Sequence, residues 1–300
     1  MVLIDAPSNL GLRPLHPGHI PGAWRAPDAL RAAGLERALP FRHIERLARP
    51  DYHADAQPGS RIRNGVAIRR FSERLARAVG TALRSRQFPL VIGGDCSVLL
   101  GCLYGAGSRG AVGLIHVDGH SDFFHPGNYD SASRLGSAAG MDLALATGRG
   151  EPLLARWRGG PLVQDAYVTQ IGERDELDPD YAYPDIERTE IRRIPVRKVL
   201  NQGIARTVAT ALAPVNGQRR PLWLHVDCDV LDQSVMPAVD SPGTPGLDFG
   251  QLAELIARFL ASGRLIGIDV TIFDPDLDPT GAYAAALVAC LRRALGSAFS

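Results

Sequence analysis

Lysine is nearly absent from this 300-residue sequence, in which Lys198 is the single lysine among 33 basic residues. A Schiff-base enzyme would have to use that one residue, and a GxxxxGK[ST] phosphate-binding loop has no lysine available. The 33 basic residues stand against 32 acidic ones, so the net charge of +1 creates no global field that would collect nucleic acid or an anionic membrane. The sequence therefore argues against lysine-based chemistry and against nucleic-acid or membrane partners.

Cysteine is also scarce, and the four cysteines are scattered. Cys96, Cys102, Cys228 and Cys290 form no CxxC pair, so neither a disulfide framework nor a zinc knuckle is indicated. The first residues contain Asp5 and lack the basic, apolar and small-residue order of a signal peptide. No apolar run reaches the roughly 18 residues that indicate a membrane span. We therefore expect a soluble, cytoplasmic protein.

Short apolar runs alternate with helical patterns along the chain. The runs lack polar alternation, as do strands that are buried on both faces of a parallel sheet; they are Pro89–Ile92, Val112–Val117, Ala166–Ile171, Pro221–Val226 and Leu265–Val270. Apolar residues at helical spacing occur in Gly65–Arg86, Ser97–Tyr104, Gly140–Thr147, Ile204–Leu212, Phe249–Leu260 and Gly281–Leu295. This order predicts a doubly wound α/β fold, in which ligands bind at the carboxyl ends of the strands.

Two stretches have an irregular composition. Gly11–Gly34 is rich in proline and glycine, and His125–Ser137 is polar with glycine, asparagine and serine. Neither resembles a domain linker, because predicted strands continue on both sides. We predict a single domain over residues 1–300, with long loops at the active site.

Acidic residues and a histidine follow two of the predicted strands. Asp118, His120 and Asp122 come directly after one apolar run, and Asp227 and Asp229 follow another. Residues at i, i+2 and i+4 of an extended strand point the same way, so these side chains can converge. Four carboxylates would repel one another, whereas two divalent cations would neutralise them, and hard oxygen donors with one histidine suit Mn²⁺. A solvated loop or helix caps would give similar strings, but two strings at period two after buried strands favour a metal site.

On these motifs the sequence resembles the arginase/agmatinase (ureohydrolase) family over most of its length. GGDCS, which begins at Gly93, is similar to the family's GGDHS, and HVDGHSD is similar to its DAHxD. HVDCDVLDQSVMPAVDSPGTPGL resembles the family's SxDxDxxDPxxxPGTGTPxPGG. APDALRAAGL and QIGERD resemble its GPxALRxAGL and IGxRD.

The resemblance implies a fold, a cofactor and a reaction. The fold is a three-layer α/β/α domain with a mainly parallel, about eight-stranded sheet, usually assembled as a homo-oligomer (a trimer or a hexamer). The cofactor is a pair of Mn²⁺ ions, and a hydroxide that bridges them attacks the carbon of a small guanidino or amidino substrate and expels urea or an amine.

By position, the resemblance implies six metal ligands: Cys96, Asp118, His120, Asp122, Asp227 and Asp229. Asp118 and Asp227 would bridge the two ions. Cys96 and Asp122 would complete one site, and the remaining two residues would complete the other. Asp122 would also act in catalysis, because it would orient the bridging hydroxide.

Cys96 is the first departure from the family pattern, since it replaces the histidine of GGDHS. A thiolate is a softer donor than imidazole and adds a negative charge. Three alternatives follow: Cys96 ligates an altered metal pair, it leaves a weak or empty first site and hence a single Mn²⁺, or it is a buried bystander.

The second departure is the loss of the family's His-Gly proton shuttle. The Gly-Met that matches the family is Gly140-Met141, with Ala139 in place of the histidine, and an ungapped alignment places Leu135 there instead. Proton shuttling contributes roughly 10²–10⁴-fold to a rate. His125 is the nearest candidate to substitute and to contact the substrate, although a solvated loop histidine is the alternative.

The third departure concerns the substrate. The family's Asp-x-x-Glu-x-Asn-Pro string has a glutamate that grips the guanidinium, and Ile272 stands at that position. Asp274, two residues on, would lie on the same side of a strand and is a candidate substrate contact. In the string similar to IGxRDxD, Leu177 stands where the second aspartate would lie and Asp178 comes one residue late. We therefore do not expect L-arginine as the substrate.

The resulting prediction is a binuclear manganese hydrolase that cleaves a C–N bond of a guanidino or modified-guanidino compound. The losses of the shuttle histidine and of the guanidinium glutamate leave two alternatives. One is a catalytically weak relative that binds a metabolite or a partner. The other is a hydrolase of a formimino or amide C–N bond.

Overall fold

One parallel sheet organises the chain, of which a computed structural model describes residues 1–174, 183–213 and 219–299. The eight strands are β1 (Val2–Ala6), β2 (His43–Arg46), β3 (Pro89–Gly93), β4 (Gly113–Val117), β5 (Val168–Ile171), β6 (Arg192–Ile194), β7 (Leu222–Asp227) and β8 (Leu265–Thr271). They lie in the order β2-β1-β3-β8-β7-β4-β5-β6, and each neighbouring pair is parallel. The predicted eight-stranded, mainly parallel sheet is confirmed.

Helices cover both faces of the sheet. Their bounds are α1 (Ala26–Ala32), α2 (Leu35–Ala38), α3 (Gly65–Arg84), α4 (Val98–Ala106), α5 (Asp142–Ala146), α6 (Pro152–Ala155), α7 (Val196–Gln202), α8 (Ile204–Ala211), α9 (Phe249–Ala261) and α10 (Ala282–Phe299). Buried side chains of α3 to α6 form one core with one sheet face, and those of α1, α2 and α7 to α10 form a second core with the other face. The architecture is therefore three-layered, α/β/α.

α3 shows how the sequence pattern produces this layering. Ile68, Phe71, Leu75 and Val79 recur every three or four residues and are buried against the sheet. Arginines occupy the opposite, exposed side of the helix. Each such apolar side chain contributes roughly 1.5–3 kcal/mol when it leaves water.

Alternate residues of β7 belong to different cores. Leu222, Leu224 and Val226 pack under α8 to α10, whereas Trp223 packs under α3 to α6. All six residues of β7 are buried, because both sheet faces are covered. This explains why the sequence of this central strand lacks polar alternation.

The irregular stretch predicted at Gly11–Gly34 is only partly irregular. Residues Gly22–Arg25 form a 3-10 helix, and α1 follows it directly. Pro27 lies in the first turn of α1, where its missing N–H costs no hydrogen bond. The proline content that predicted a loop therefore marks the beginning of a helix.

Among the described residues, α10 is the one helix whose length and composition would allow it to cross a membrane. Its 18 residues have a mean hydropathy of 1.2. The core helices of many soluble proteins meet the same criteria. α10 packs against α9, α1 and α2, and it buries Leu287, Leu291 and Leu295. The apolar run was not evident in the sequence because Arg292 and Arg293 interrupt it.

Candidate metal centre

The carboxyl ends of β3, β4, β7 and β8 lie side by side in the sheet and open into one cavity of about 700 Å³. The predicted metal ligands Cys96, His120, Asp122, Asp227 and Asp229 line this cavity. Asp118 lies beneath them and is fully buried. The structure therefore brings the six predicted ligands to one end of the sheet, as expected for a doubly wound fold.

A turn, and not an extended strand, brings the residues after β4 together. The Asp118 N–H donates to the Ile171 carbonyl (3.0 Å), and Asp118 Oδ1 accepts from the His120 N–H (2.6 Å). Asp122 then adopts the left-handed conformation, with φ of 47°. The prediction that an extended strand aligns these residues is wrong, because β4 ends at Val117. The side chains converge because the chain coils around the Asp118 carboxylate.

The residues after β7 coil in the same way and join the first loop. Asp227 Oδ1 accepts from the Asp229 N–H (2.7 Å) and begins a short 3-10 helix. Asp229 Oδ1 accepts from the Gly119 N–H (2.9 Å), and Asp229 Oδ2 lies 2.9 Å from His120 Nδ1. The two loops are therefore fixed to each other by one carboxylate.

Two polar residues that the motifs did not single out hold these loops from below. Arg174 donates to the Asp229 carbonyl (3.0 Å), and its guanidinium lies 3.9 Å from Asp229 Oδ1. Gln170, on β5, donates to the His120 carbonyl (2.9 Å). Both are buried. Gln170 and Arg174 both belong to the string QIGERD, which was the available sequence signal.

The buried aspartates of the two loops have pKa values that are shifted in different directions. Burial, and then the carboxylates of Asp122 and Asp227, raise the pKa of Asp118 well above its ordinary value. Burial and then Asp229 likewise raise the pKa of Asp227. Burial alone would raise the pKa of Asp229 too, but His120 and Arg174 outweigh it and hold that pKa below its ordinary value. A positive charge placed between Asp118 and Asp227 would therefore stabilise both as carboxylates.

Cys96 lies directly against one of these carboxylates. Its Sγ donates to Asp227 Oδ2 at 2.8 Å and lies 3.8 Å from Thr271 Oγ1. Burial, and then Asp227 and Asp122, raise the pKa of the thiol well above its ordinary value. The Cys96 side chain is thus placed where a ligand of the first metal site would lie, as a neutral thiol.

The donor set fits divalent cations. Donor atoms of Asp118, His120 and Asp229 lie within 4.8 Å of one another, and so do donor atoms of Cys96, Asp118 and Asp227. Asp118 Oδ2 is buried and has no hydrogen-bond partner among the described residues. A buried carboxylate oxygen that nothing satisfies is costly unless a cation takes it up. Asp118 belongs to both groups, which suits a ligand shared between two ions.

Asp274 has a different environment from the predicted one. β8 ends at Thr271, and Ile272 has a φ of 67°, so the strand alternation that would place Asp274 beside Ile272 is broken. Ile272 lines the cavity. Asp274 instead accepts hydrogen bonds from the Gly22 N–H (3.0 Å) and the Asp276 N–H (2.9 Å). The reason given for a substrate contact, a shared strand side, is therefore wrong.

His125 also lies apart from the residues that line the cavity. Its Nε2 lies 2.5 Å from Asp185 Oδ2, and its ring packs edge-on against Phe123. Ala139, Gly140 and Leu135, the positions compared with the shuttle histidine, do line the cavity. Of the cavity-lining residues in the described parts of the chain, His120 alone carries an imidazole.

Arginines surround the mouth of the cavity, which no sequence motif had indicated. Arg13, Arg63 and Arg134 line it together with Asp240. Arg63 donates to Ser137 Oγ (3.0 Å) and to the Ala54 carbonyl (2.7 Å), which fixes its guanidinium at the wall. The string from Asp175 to Asp178, predicted to bear on the substrate, lies outside the described residues.

Comparison with known proteins places the chain among relatives. The family model described as Arginase family matches residues 14–296. The chain is 29% identical to the arginase of Bacillus caldovelox over 292 residues, with 92% of this chain and 93% of that protein covered. It is 27% identical to human arginase-1 over 266 residues, which cover 86% and 82% of the two chains. The solved structure of the B. caldovelox arginase superposes with a TM-score of 0.83 at 27% identity and covers 98% of this chain and 97% of that one.

Proposed function

Because the chain belongs to the Arginase family, whose members hydrolyse C–N bonds in amidines and guanidines, we propose that it is a binuclear manganese hydrolase. The proposed substrate is a small guanidino or modified-guanidino compound other than L-arginine. The observation that carries the proposal is the convergence of the Asp118 and Asp227 loops on one buried group of oxygen donors.

Two Mn²⁺ ions, when bound, would supply a water of lowered pKa and a polarising positive charge. Asp118 and Asp227, which are both buried, would be shared between the ions. Cys96 and Asp122 would hold the first ion. His120 and Asp229 would hold the second.

The chain's own residues position the reacting groups. Asp122 lines the cavity beside the metal donors, and its left-handed backbone turns its carboxylate into the centre. We assign Asp122 the role of accepting a hydrogen bond from the attacking water and of orienting it. Asp229 Oδ2 lies 2.9 Å from His120 Nδ1, so the two residues proposed to hold the second ion are already adjacent.

The walls of the cavity favour a substrate that differs from arginine. Ile272 offers no carboxylate to a guanidinium, and Ala139 or Leu135 offers no proton shuttle. Asp274 and His125 remain untested predictions as substrate contacts, and their contacts with Gly22 and Asp185 do not support that role.

A second candidate function follows from the arginines. Arg13 and Arg63 are close enough to interact electrostatically, and although the Asp240 carboxylate interacts with Arg13, the like charges of the two guanidinium groups favour an additional anion at this wall. A formimino or amide compound with a carboxylate tail would satisfy both groups. We propose this acidic C–N substrate as the alternative to a guanidino substrate.

A substrate panel tests the two candidates. Purified protein with Mn²⁺ would be incubated with agmatine, L-arginine, 4-guanidinobutyrate and N-formimino-L-glutamate, and urea, ammonia and formamide would be measured. Asp122→Asn is the matched control, because it keeps the size of the side chain and removes its charge. Urea from agmatine or 4-guanidinobutyrate supports the first candidate, urea from L-arginine contradicts the exclusion of that substrate, and formamide or ammonia from the formimino compound supports the second candidate.

The proposal has two contrary outcomes. Protein that holds no Mn²⁺ in metal analysis, and gains none on reconstitution, would rule out the metal hydrolase. Tight binding of a panel compound without product release would favour the catalytically weak relative.

The proposal includes a single domain, an assembly and a location. We expect a homo-oligomer, a trimer or a hexamer, which light scattering would measure. A cytoplasmic location agrees with four free cysteines, all of them buried.

A further inference from the structure

A second group of polar side chains lies directly beneath the metal donors, and we call it the inner cluster: His116, Asp142, His225 and Asp269. His116 on β4 pairs with His225 on β7, which pairs with Asp269 on β8. Asp142 begins α5, which packs over this sheet face. All four side chains are fully buried. The ligands Asp118 and Asp227 each come two residues after one of the histidines, so the two groups form consecutive rows on the same face.

His225 has the hydrogen bonding of a metal ligand. Its Nδ1 lies 2.5 Å from Asp269 Oδ2, and the Trp223 indole N–H donates to the other oxygen of Asp269 (2.5 Å). The Asp269 carboxylate therefore accepts a hydrogen bond from Nδ1–H, and Nε2 is the ring nitrogen that could bind a metal ion. A carboxylate behind a histidine is the arrangement that fixes the tautomer and orientation of metal-binding imidazoles.

The inner cluster contains buried polar atoms that are unsatisfied. His225 Nε2 and Asp142 Oδ2 lie 3.5 Å apart, and neither has a hydrogen-bond partner among the described residues. His116 Nε2, by contrast, forms a hydrogen bond with Asp142 Oδ1 (3.1 Å), and the nitrogen of His116 without a partner among the described residues is Nδ1. These buried polar atoms would each cost free energy if they were left without a partner.

We propose that His116, His225 and Asp142 form an inner metal site, directly adjacent to the donors that line the cavity. Their ligand atoms lie within 4.8 Å of one another. A cation about 2.1 Å from both His225 Nε2 and Asp142 Oδ2 would subtend an angle of roughly 113° between them, close to tetrahedral.

The donor chemistry selects the ion. Two imidazoles and a carboxylate suit Zn²⁺ or Fe²⁺, whereas the oxygen-rich donors at the cavity suit Mn²⁺. The inner site would therefore hold a borderline transition-metal ion beneath the manganese centre. This inference does not rest on the proposed reaction, because the inner site can be measured in a protein that hydrolyses nothing.

A shared proton is the competing occupant of the inner cluster. The two imidazole rings are stacked, with centroids 4.8 Å apart and an interplanar angle of 26°, so two imidazolium charges would repel. One proton shared between His225 Nε2 and Asp142 Oδ2 would satisfy both of these atoms without a metal ion. Metal binding and protonation therefore make different predictions for the number of imidazole ligands.

The test loads the full-length protein with Zn²⁺ in the presence of excess Mn²⁺, and then measures both metals after gel filtration. Wild-type protein is expected to retain Zn²⁺, and Asp142→Asn and His116→Gln are expected to bind it at least about tenfold more weakly. His53→Gln, on an exposed histidine, is the matched control and should retain the wild-type amount. Equal Zn²⁺ affinity in all four proteins would overturn the proposal.

Zinc X-ray absorption of the wild-type protein keeps the proposal falsifiable if the variants fail to fold. The inner site predicts two imidazole nitrogens on Zn²⁺, whereas each of the donor groups that include cavity ligands and a histidine contains a single imidazole, His116, His120 or His225. Two nitrogens support the inner site. One nitrogen or none, or no retained Zn²⁺, overturns it.

Discussion

The Sγ of Cys96 lies 2.8 Å from Asp227 Oδ2 and donates its proton to that carboxylate. The contact joins the loop after β3 to the last residue of β7. Asp227 is one of the two aspartates proposed to be shared between the metal ions. Since the thiol proton occupies an oxygen that a cation would need, Cys96 must either lose the proton and become a ligand or compete with the first ion.

The variant Cys96→His tests which of these occurs. An imidazole at this position restores a neutral nitrogen donor beside Asp227, and we expect the Mn²⁺ affinity of the first site to rise by about tenfold or more. Isothermal titration calorimetry of metal-free protein measures the affinity. Cys96→Ala is the control that removes the sulfur without adding a donor. Unchanged Mn²⁺ affinity in both variants would identify Cys96 as a buried bystander.

Alanine variants of Asp227 and Asp229 are predicted to differ in their Mn²⁺ content. Asp227→Ala removes a ligand from both proposed sites and should eliminate both Mn²⁺ ions. Asp229→Ala removes a ligand from the second site alone and should deplete one. Inductively coupled plasma mass spectrometry counts the Mn²⁺ per chain after dialysis. Equal Mn²⁺ content in the two variants would contradict the assignment of Asp227 as a shared ligand.

Ile272 is the residue whose exchange should change the substrate preference. It lines the cavity, its backbone is in the left-handed conformation with a φ of 67°, and its N–H donates to the Gly94 carbonyl (2.7 Å). Because a β-branched residue is disfavoured in that conformation, a glutamate can replace it without added backbone strain. Ile272→Glu would give a guanidinium a charged partner and should raise kcat/KM for agmatine by roughly 10–100-fold.

The uncharged variant Ile272→Gln separates charge from shape. It matches the length of glutamate, so it should leave kcat/KM for agmatine within a factor of about two of wild type. If the glutamine and glutamate variants gain equally, the loss of the family's glutamate does not explain the substrate preference.

The central strands were predictable because burial on both faces leaves continuous apolar runs. The edge strands lack this signal: β2 is His-Ile-Glu-Arg and β6 contains two arginines. β1 is buried, but Asp5 interrupts its run and forms an ion pair with Arg31. β1, β2 and β6 therefore join the sheet because of contacts with neighbouring side chains, and the sequence alone does not reveal those contacts.

The cavity ligands were predictable because their motifs follow strand ends, and the inner cluster was only partly so. His116 and His225 extend the same period-two strings by one step, which was an available signal. Asp142 had no signal, since α5 reaches the sheet face through tertiary packing. The turns at Asp122 and Ile272 were also invisible, because a left-handed backbone at these residue types is set by their surroundings.

Asp232 should make a pH-dependent contribution to stability. Its carboxylate accepts from Thr244 Oγ1 (2.6 Å), the Gly246 N–H (3.0 Å) and the Ser234 N–H (2.9 Å). The Thr244 hydrogen bond, followed by those from Ser234, lowers the pKa of Asp232 to about 2. Since the folded pKa is below the unfolded one, this contribution is present above about pH 4 and is lost as the pH falls towards 2.

Thermal unfolding of Asp232→Asn measures that contribution. We expect Tm to fall by roughly 1–3 °C at neutral pH, because the group is largely exposed. At about pH 3 the difference from wild type should be smaller, since Asp232 in the unfolded chain, with its higher ordinary pKa, then takes up a proton before the folded protein does. A Tm difference that grows on acidification would contradict the assigned direction of the pKa shift.

Arg13 is the residue that should separate acidic substrates from neutral or cationic ones. It lies at the mouth of the cavity, close to Arg63 and Asp240. Arg13→Gln removes one of the charges proposed to receive a carboxylate tail. The KM for a carboxylate-bearing amidine should therefore rise by about tenfold, while the KM for agmatine should stay constant or fall, because its ammonium no longer meets that guanidinium. The exposed residue Arg77 on α3 provides the matched control Arg77→Gln. An equal rise of KM for both compounds would mean that Arg13 shapes the cavity and does not select its ligand by charge.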